Sequence, residues 1–163
     1  MHKKIFLLLA LPLSLLTACT KSSSNGCNYT TPTAVAAAAE IANLKAYLDA
    51  NSLTYTQHPS GIFYNITAPG SGTATAGVCS NITVKYSGRL TTTTTPFDHN
   101  DTGAYFTLGQ LITGWQYGIP LIKTGGAITL YIPPSLGYGS TGYGQAIPPN
   151  SNLIFTMELL NVQ

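Results

Sequence analysis

Charge is what this chain has least of. Only 7 of its 163 residues are Lys or Arg and 5 are Asp or Glu, 7% in all, against about a quarter in an ordinary soluble domain. Disorder goes with high charge and low hydrophobicity, whereas 44% of these residues are hydrophobic, so a folded domain with a nearly neutral surface is expected. From Cys19 onward, Lys21, Lys45, Lys85, Arg89 and Lys123 balance Glu40, Asp49, Asp98, Asp101 and Glu158. Without a cationic excess there is no reason to expect a nucleic-acid partner. The length leaves room for one compact domain and a short appendage.

Histidine is scarce too: beyond His2 there are only His58 and His99, too few for a His-rich metal site, and no GxSxG serine accompanies them. Both are read as solvated loop residues. Asp98 and Asp101 are the only close carboxylates and fall in what reads as one turn. No metal or other cofactor is called for. Gly137 to Gly142 spell GxGxxG, but a pyrophosphate site needs that turn to open into a helix. Gly144 and Pro148-Pro149 follow instead and forbid one.

Lys3 and Lys4 precede an apolar stretch from Ile5 to Leu16, shorter than the roughly 20 residues that span a bilayer. Residues 1–18 therefore read as a secretory signal peptide. Leu16-Thr17-Ala18-Cys19 resembles a bacterial lipobox, which implies lipidation of Cys19 and a membrane tether over residues 19–30. Thr20 and Lys21 spell no recognisable inner-membrane retention signal, so the expected location is the cell envelope, on the outer membrane facing the periplasm. In such an oxidising compartment the two remaining cysteines, Cys27 and Cys79, are expected to form a disulfide rather than stay as two free thiols.

Residues 31–52 read as an N-terminal helix opened by Thr31-Pro32-Thr33 and striped by Ile41, Leu44 and Leu48. It either leans on the domain or acts as a spacer. From Gly61 the period changes to two: Ile62, Tyr64 and Ile66; Ile82, Val84 and Tyr86; Ile128, Leu130 and Ile132; Leu153, Phe155, Met157 and Leu159. Alternation with polar residues predicts antiparallel strands with one buried face each, and AYFTLG at 104–109 predicts a shorter fifth. Residues 112–123 hold the one other helical candidate, which Pro120 ends near Ile119. The class is α+β: a twisted antiparallel sheet against one short helix, in a domain spanning 60–163.

VKYSGRL at 84–90, PFDHND at 96–101, YFTLGQLITGWQYGIPLIKTGG at 105–126 and IPPSLGYGSTGYGQAIPPNSNLIFTMELL at 132–160 together resemble the FKBP-type peptidyl-prolyl cis-trans isomerases, in the family's order. The resemblance implies a sheet wrapped around a short helix. It makes Trp115 the floor of an apolar pocket and Tyr86, Phe97, Phe106 and Phe155 its walls. Leu111 and Ile112 would stand at its edge, with the Ile112 amide offered to a substrate carbonyl. Tyr138 would offer its hydroxyl from the rim, Asp98 would lie beside Tyr86, and Ile147 would close over the proline ring. Tyr86, Asp98 and Tyr138 are thus the catalytic candidates.

The chain departs from the family in a shortened FDHNDTGAYF segment without arginine, in Ala104 where many members have an aromatic, and in Tyr143 and Gln145 at a loop tip. The implied activity is rotation of X-Pro bonds in exported proteins as they fold, with macrolide inhibitors as possible ligands. The alternative is a non-catalytic chaperone or adaptor that holds proline segments.

Overall fold

The computed structural model describes residues 26–163; the signal peptide and Cys19 lie outside them. Helix α1 (Ala38–Ala50) is followed by strands β1 (Thr56–Gln57), β2 (Phe63–Ala68), β3 (Asn81–Leu90) and β4 (Asp98–Thr107). Helix α2 (Thr113–Gly118) and strands β5 (Ala127–Ile132) and β6 (Leu153–Val162) complete the chain. The strands form one sheet in the order β1-β2-β5-β6-β3-β4, and every neighbouring pair is antiparallel.

The two-residue period explains how this sheet is covered. Ile128, Leu130 and Ile132 of β5 and Leu153, Phe155, Met157 and Leu159 of β6 join Trp115 and Ile119 in the main core. The residues between them point the other way: Tyr131 and Ile154 meet Phe63, Leu44 and Leu48 in a second cluster beneath α1. The expectation of one buried face per strand therefore fails for β2, β5 and β6, because α1 covers their outer side. In β2 the buried residue is Phe63, while Ile66 is exposed. Helix α2 approaches β5 through two glycines one turn apart. A methyl on Gly114 would lie 2.6 Å from Ile132, and one on Gly118 would collide with Leu130.

The N-terminal helix begins at residue 38, not 31. Residues 27–37 form no regular element, since helix there would forfeit several tertiary contacts. The Ala36 N–H donates to Ser60 O at 2.9 Å, the Tyr117 hydroxyl donates to Ala34 O at 2.8 Å, and Tyr29 lies against Gly109. A disulfide joins Cys27 to Cys79, as expected, and pins the end of the tether segment to the domain from Cys27 onward.

Strand β4 is also longer than AYFTLG suggests, and Asp98 and Asp101 lie within it rather than in a turn. A bulge in β4 between Asn100 and Ala104, opposite the step from Val84 to Tyr86, absorbs the extra residues. The Asn100 side chain satisfies the displaced backbone, accepting from Thr102 N at 3.1 Å and Gly103 N at 2.7 Å. His99 is an exposed residue of this strand. His58 is not simply solvated: its Nδ1 lies 2.8 Å from Ser60 Oγ and its ring packs 5.3 Å from that of Tyr117. Burial pushes its pKa down.

The Cys27–Cys79 bridge spans 52 residues; for a loop of that size chain-entropy reasoning gives about 4 kcal/mol. Cys79→Ser is expected to lower stability to urea by about 2–4 kcal/mol. An unchanged unfolding midpoint would mean that packing alone holds the segment.

Candidate active site

Above α2 the sheet leaves a cavity of about 160 Å³, close to the roughly 150 Å³ that admits a benzene ring in an engineered core. Tyr86 comes from β3, Asp98 and Phe106 from β4, and Phe155 from β6; Phe97 immediately precedes β4. Leu111 and Ile112 lie in the entry to α2, Trp115 is on α2, and Tyr138 belongs to the β5–β6 connection. These nine residues line the cavity.

Trp115 is only 4% exposed, and three rings stand nearly upright on its indole. Tyr86 is 5.2 Å away at 74°, Phe155 5.1 Å at 86° and Phe106 6.2 Å at 85°. Phe97 meets Phe155 edge-on at 5.6 Å and 82°. Edge-to-face contacts of this kind are favourable and hold the walls apart, leaving a slot above the indole instead of a filled core. The indole Nε1 is buried without an acceptor among the described residues.

Polar groups are few and sit at the edge. The Tyr86 hydroxyl donates to Asp98 Oδ2 at 2.8 Å. Burial, then this bond, pushes the Tyr86 pKa up to about 12. Burial also raises that of Tyr138, with smaller contributions from Tyr143 and Asp98. Both hydroxyls are therefore neutral donors at physiological pH. The Ile112 amide, just ahead of α2, donates to no backbone carbonyl among the described residues. Tyr138 stacks on Tyr143 at 5.2 Å and 30°, and Tyr143 is 66% exposed.

Nine of the ten pocket residues expected from the sequence are brought together. Ile147 is the exception. It is 2% exposed and belongs to the main core, and paired backbone bonds with Tyr143 at 2.8 and 3.1 Å tie it to the rim loop. Ala104 is absent from the lining as well.

Gly88 was missed by sequence reasoning. It pairs with Phe155 on one side and Asp98 on the other, and its carbonyl accepts the Phe97 N–H at 2.8 Å. A methyl there would sit 2.9 Å from the Phe97 ring and closer still to that of Phe155. Glycine inside a strand signals such a close approach, and this one lies in the middle of KYSGRL.

The family model described as FKBP-type peptidyl-prolyl cis-trans isomerase matches residues 72–160. The chain is 41% identical over 105 residues to a probable FKBP-type isomerase of Haemophilus influenzae, covering 63% of this chain and 43% of that one. It is 40% identical over 87 residues to FK506-binding protein 1 of Dictyostelium discoideum, covering 51% of this chain and 81% of that one. Among solved structures, FkpA from Escherichia coli superposes with a TM-score of 0.68 at 36% identity, covering 78% of this chain and 61% of that one. The chain spans about two fifths of the length of several bacterial relatives it matches. The match runs through every element that lines the slot, and the chain belongs to the FKBP-type peptidyl-prolyl cis-trans isomerase family.

Proposed function

We propose that this protein is a peptidyl-prolyl cis-trans isomerase that acts on proline-containing segments of exported proteins as they fold. The observation that carries the reading is the slot over Trp115, walled by four aromatic rings and edged by neutral donors. The chemistry needs no nucleophile. Rotation about an X-Pro bond faces a barrier of roughly 20 kcal/mol because twisting breaks amide resonance. The planar amide has the greater charge separation, so a dry aromatic slot stabilises it less than the twisted form, and each ~1.4 kcal/mol of difference is tenfold in rate.

In this reading the proline ring lies on Trp115 between Tyr86, Phe97, Phe106 and Phe155, with Leu111 at its edge. The Ile112 amide and the Tyr138 hydroxyl hold neighbouring carbonyls, and Asp98 fixes the Tyr86 ring through their 2.8 Å bond. Macrolides that bind the family would take the same place; one relative carries FK506 binding in its name. Lipidation at Cys19 would hold the domain at the outer membrane. The Cys27–Cys79 bridge suits an oxidising, exported setting. No helix among the described residues is long and apolar enough to cross a membrane.

A second reading, a non-catalytic holder of proline segments, is favoured by one feature. Among the described residues Tyr86 is the only side chain hydrogen-bonded to Asp98, with no arginine to reinforce it.

A protease-coupled proline-peptide assay separates the two. Catalysis is expected from the wild type, with kcat/KM down about three- to tenfold in Tyr138→Phe, as for one lost hydrogen bond, and more than tenfold in Trp115→Ala. A rate equal to buffer sinks the enzyme, and a macrolide that still raises Tm then leaves the holder. Gly88→Ala is expected to cost about 1–3 kcal/mol of stability by overpacking and to lower kcat/KM at least tenfold as Phe155 and Phe97 are displaced; an unchanged rate would show that those rings are not the working walls.

The pH dependence follows from the tyrosines. An unfolded tyrosine releases its proton near pH 10, whereas folded Tyr86 retains it to about 12. In that interval the folded state binds more protons, so stability falls as pH rises from 10 to 12. Below pH 9 neither rim hydroxyl changes charge, and kcat/KM should be level from pH 6 to 9. A drop across that range would assign the chemistry to another group.

A further inference from the structure

The N-terminal helix grips both ends of the connection that carries Tyr138. This connection, residues 133–152, leaves β5 through a 3-10 turn at Pro134–Leu136. The Ser135 N–H and hydroxyl both donate to Glu40 Oε2, at 3.2 and 2.5 Å. At the other end the Asn152 amide donates to Asn43 Oδ1 at 2.9 Å. Glu40 and Asn43 are three residues apart and so share one face of α1. Adjacent Leu44 and the next-turn Leu48 are fully buried against the outer side of the sheet, which fixes where the two polar side chains stand.

From Ser135 the constraint runs directly to the rim. The Gly137 and Gly139 amides both return to Pro134 O, at 2.9 and 2.8 Å, and so bracket Tyr138. Asn150 N donates to Gly139 O at 2.9 Å and ties in the returning limb. Between α1 and the connection lies a groove lined by Ala39, Glu40, Asn43, Pro134, Asn150 and Asn152. No aromatic or branched aliphatic side chain lines it, and the Glu40 and Asn43 bonds tie α1 to the connection across it.

We infer that Glu40, seconded by Asn43, is a positioning residue for Tyr138: α1 sets the height of the rim over the slot and thereby the rate of isomerisation. The inference rests on the isomerase reading above and concerns residues outside the 72–160 match to the family.

The test compares Glu40→Ala, Glu40→Gln and Tyr138→Phe, singly and combined, in the full chain. Glu40→Ala is expected to lower kcat/KM at least threefold. Glu40→Gln, which keeps an oxygen for Ser135, should stay within twofold of wild type. In the Tyr138→Phe background Glu40→Ala should cost less than a further twofold, because the hydroxyl it positions is already gone. A loss below threefold, a Gln variant as poor as Ala, or a full multiplication of the two effects overturns the inference. Amide hydrogen exchange over residues 135–142 gives a readout independent of turnover. It should accelerate at least tenfold in Glu40→Ala and not in Glu40→Gln. An inactive wild type would sink the isomerase reading alone, whereas unchanged exchange in Glu40→Ala would sink the clamp whatever the rates.

Discussion

The close seating of α2 on the sheet is the contact on which the rest depends. Gly114 and Gly118 remove two side chains that would otherwise meet Ile132 and Leu130, so the helix can lie low on β5. Trp115, between them in sequence, then presents its indole to the rings of Tyr86, Phe106 and Phe155 instead of being lifted clear of them. Gly88 does the same for the strand side, letting Phe155 and Phe97 meet. The slot is thus shaped by missing methyl groups as much as by aromatic rings, and a short helix of six residues suffices because the sheet supplies its setting.

Most of this was legible in the sequence where a local rule and the family resemblance agreed. Alternating residues of β5 and β6 marked the inner face, Pro120 marked the end of the short helix, and nine pocket residues could be named. The failures have a common cause: contacts between distant segments overrode local preference. The run Thr33 to Ala37 favours helix by composition, yet its backbone bonds to Ser60 and Tyr117 keep it out of one. FDHND reads as a turn, but Asn100 supplies bonds that keep it in a strand as a bulge. Ile147 sits beside prolines in a polar loop, and nothing in that local pattern indicates that its side chain turns into the core.

The N-terminal segment makes the domain more than a sheet with one helix. It is stapled at Cys27, laid over Gly109 through Tyr29, bonded to Tyr117, and finally packed as α1 on the outer face of the sheet. A residue pattern from 31 to 52 can show that an amphipathic helix is available; it cannot show that both sheet faces are to be covered, because the partner face of Phe63, Tyr131 and Ile154 is distributed over three strands. The same wrap puts α1 within reach of the connection that carries Tyr138.

Trp115 is the only tryptophan in the chain, and it forms the floor of the slot. The intrinsic indole emission of this protein therefore comes from one place, and that place is where a bound ring would rest. A change in that emission on adding a ligand would therefore report on the slot itself, in the unlabelled protein and without a coupled reaction.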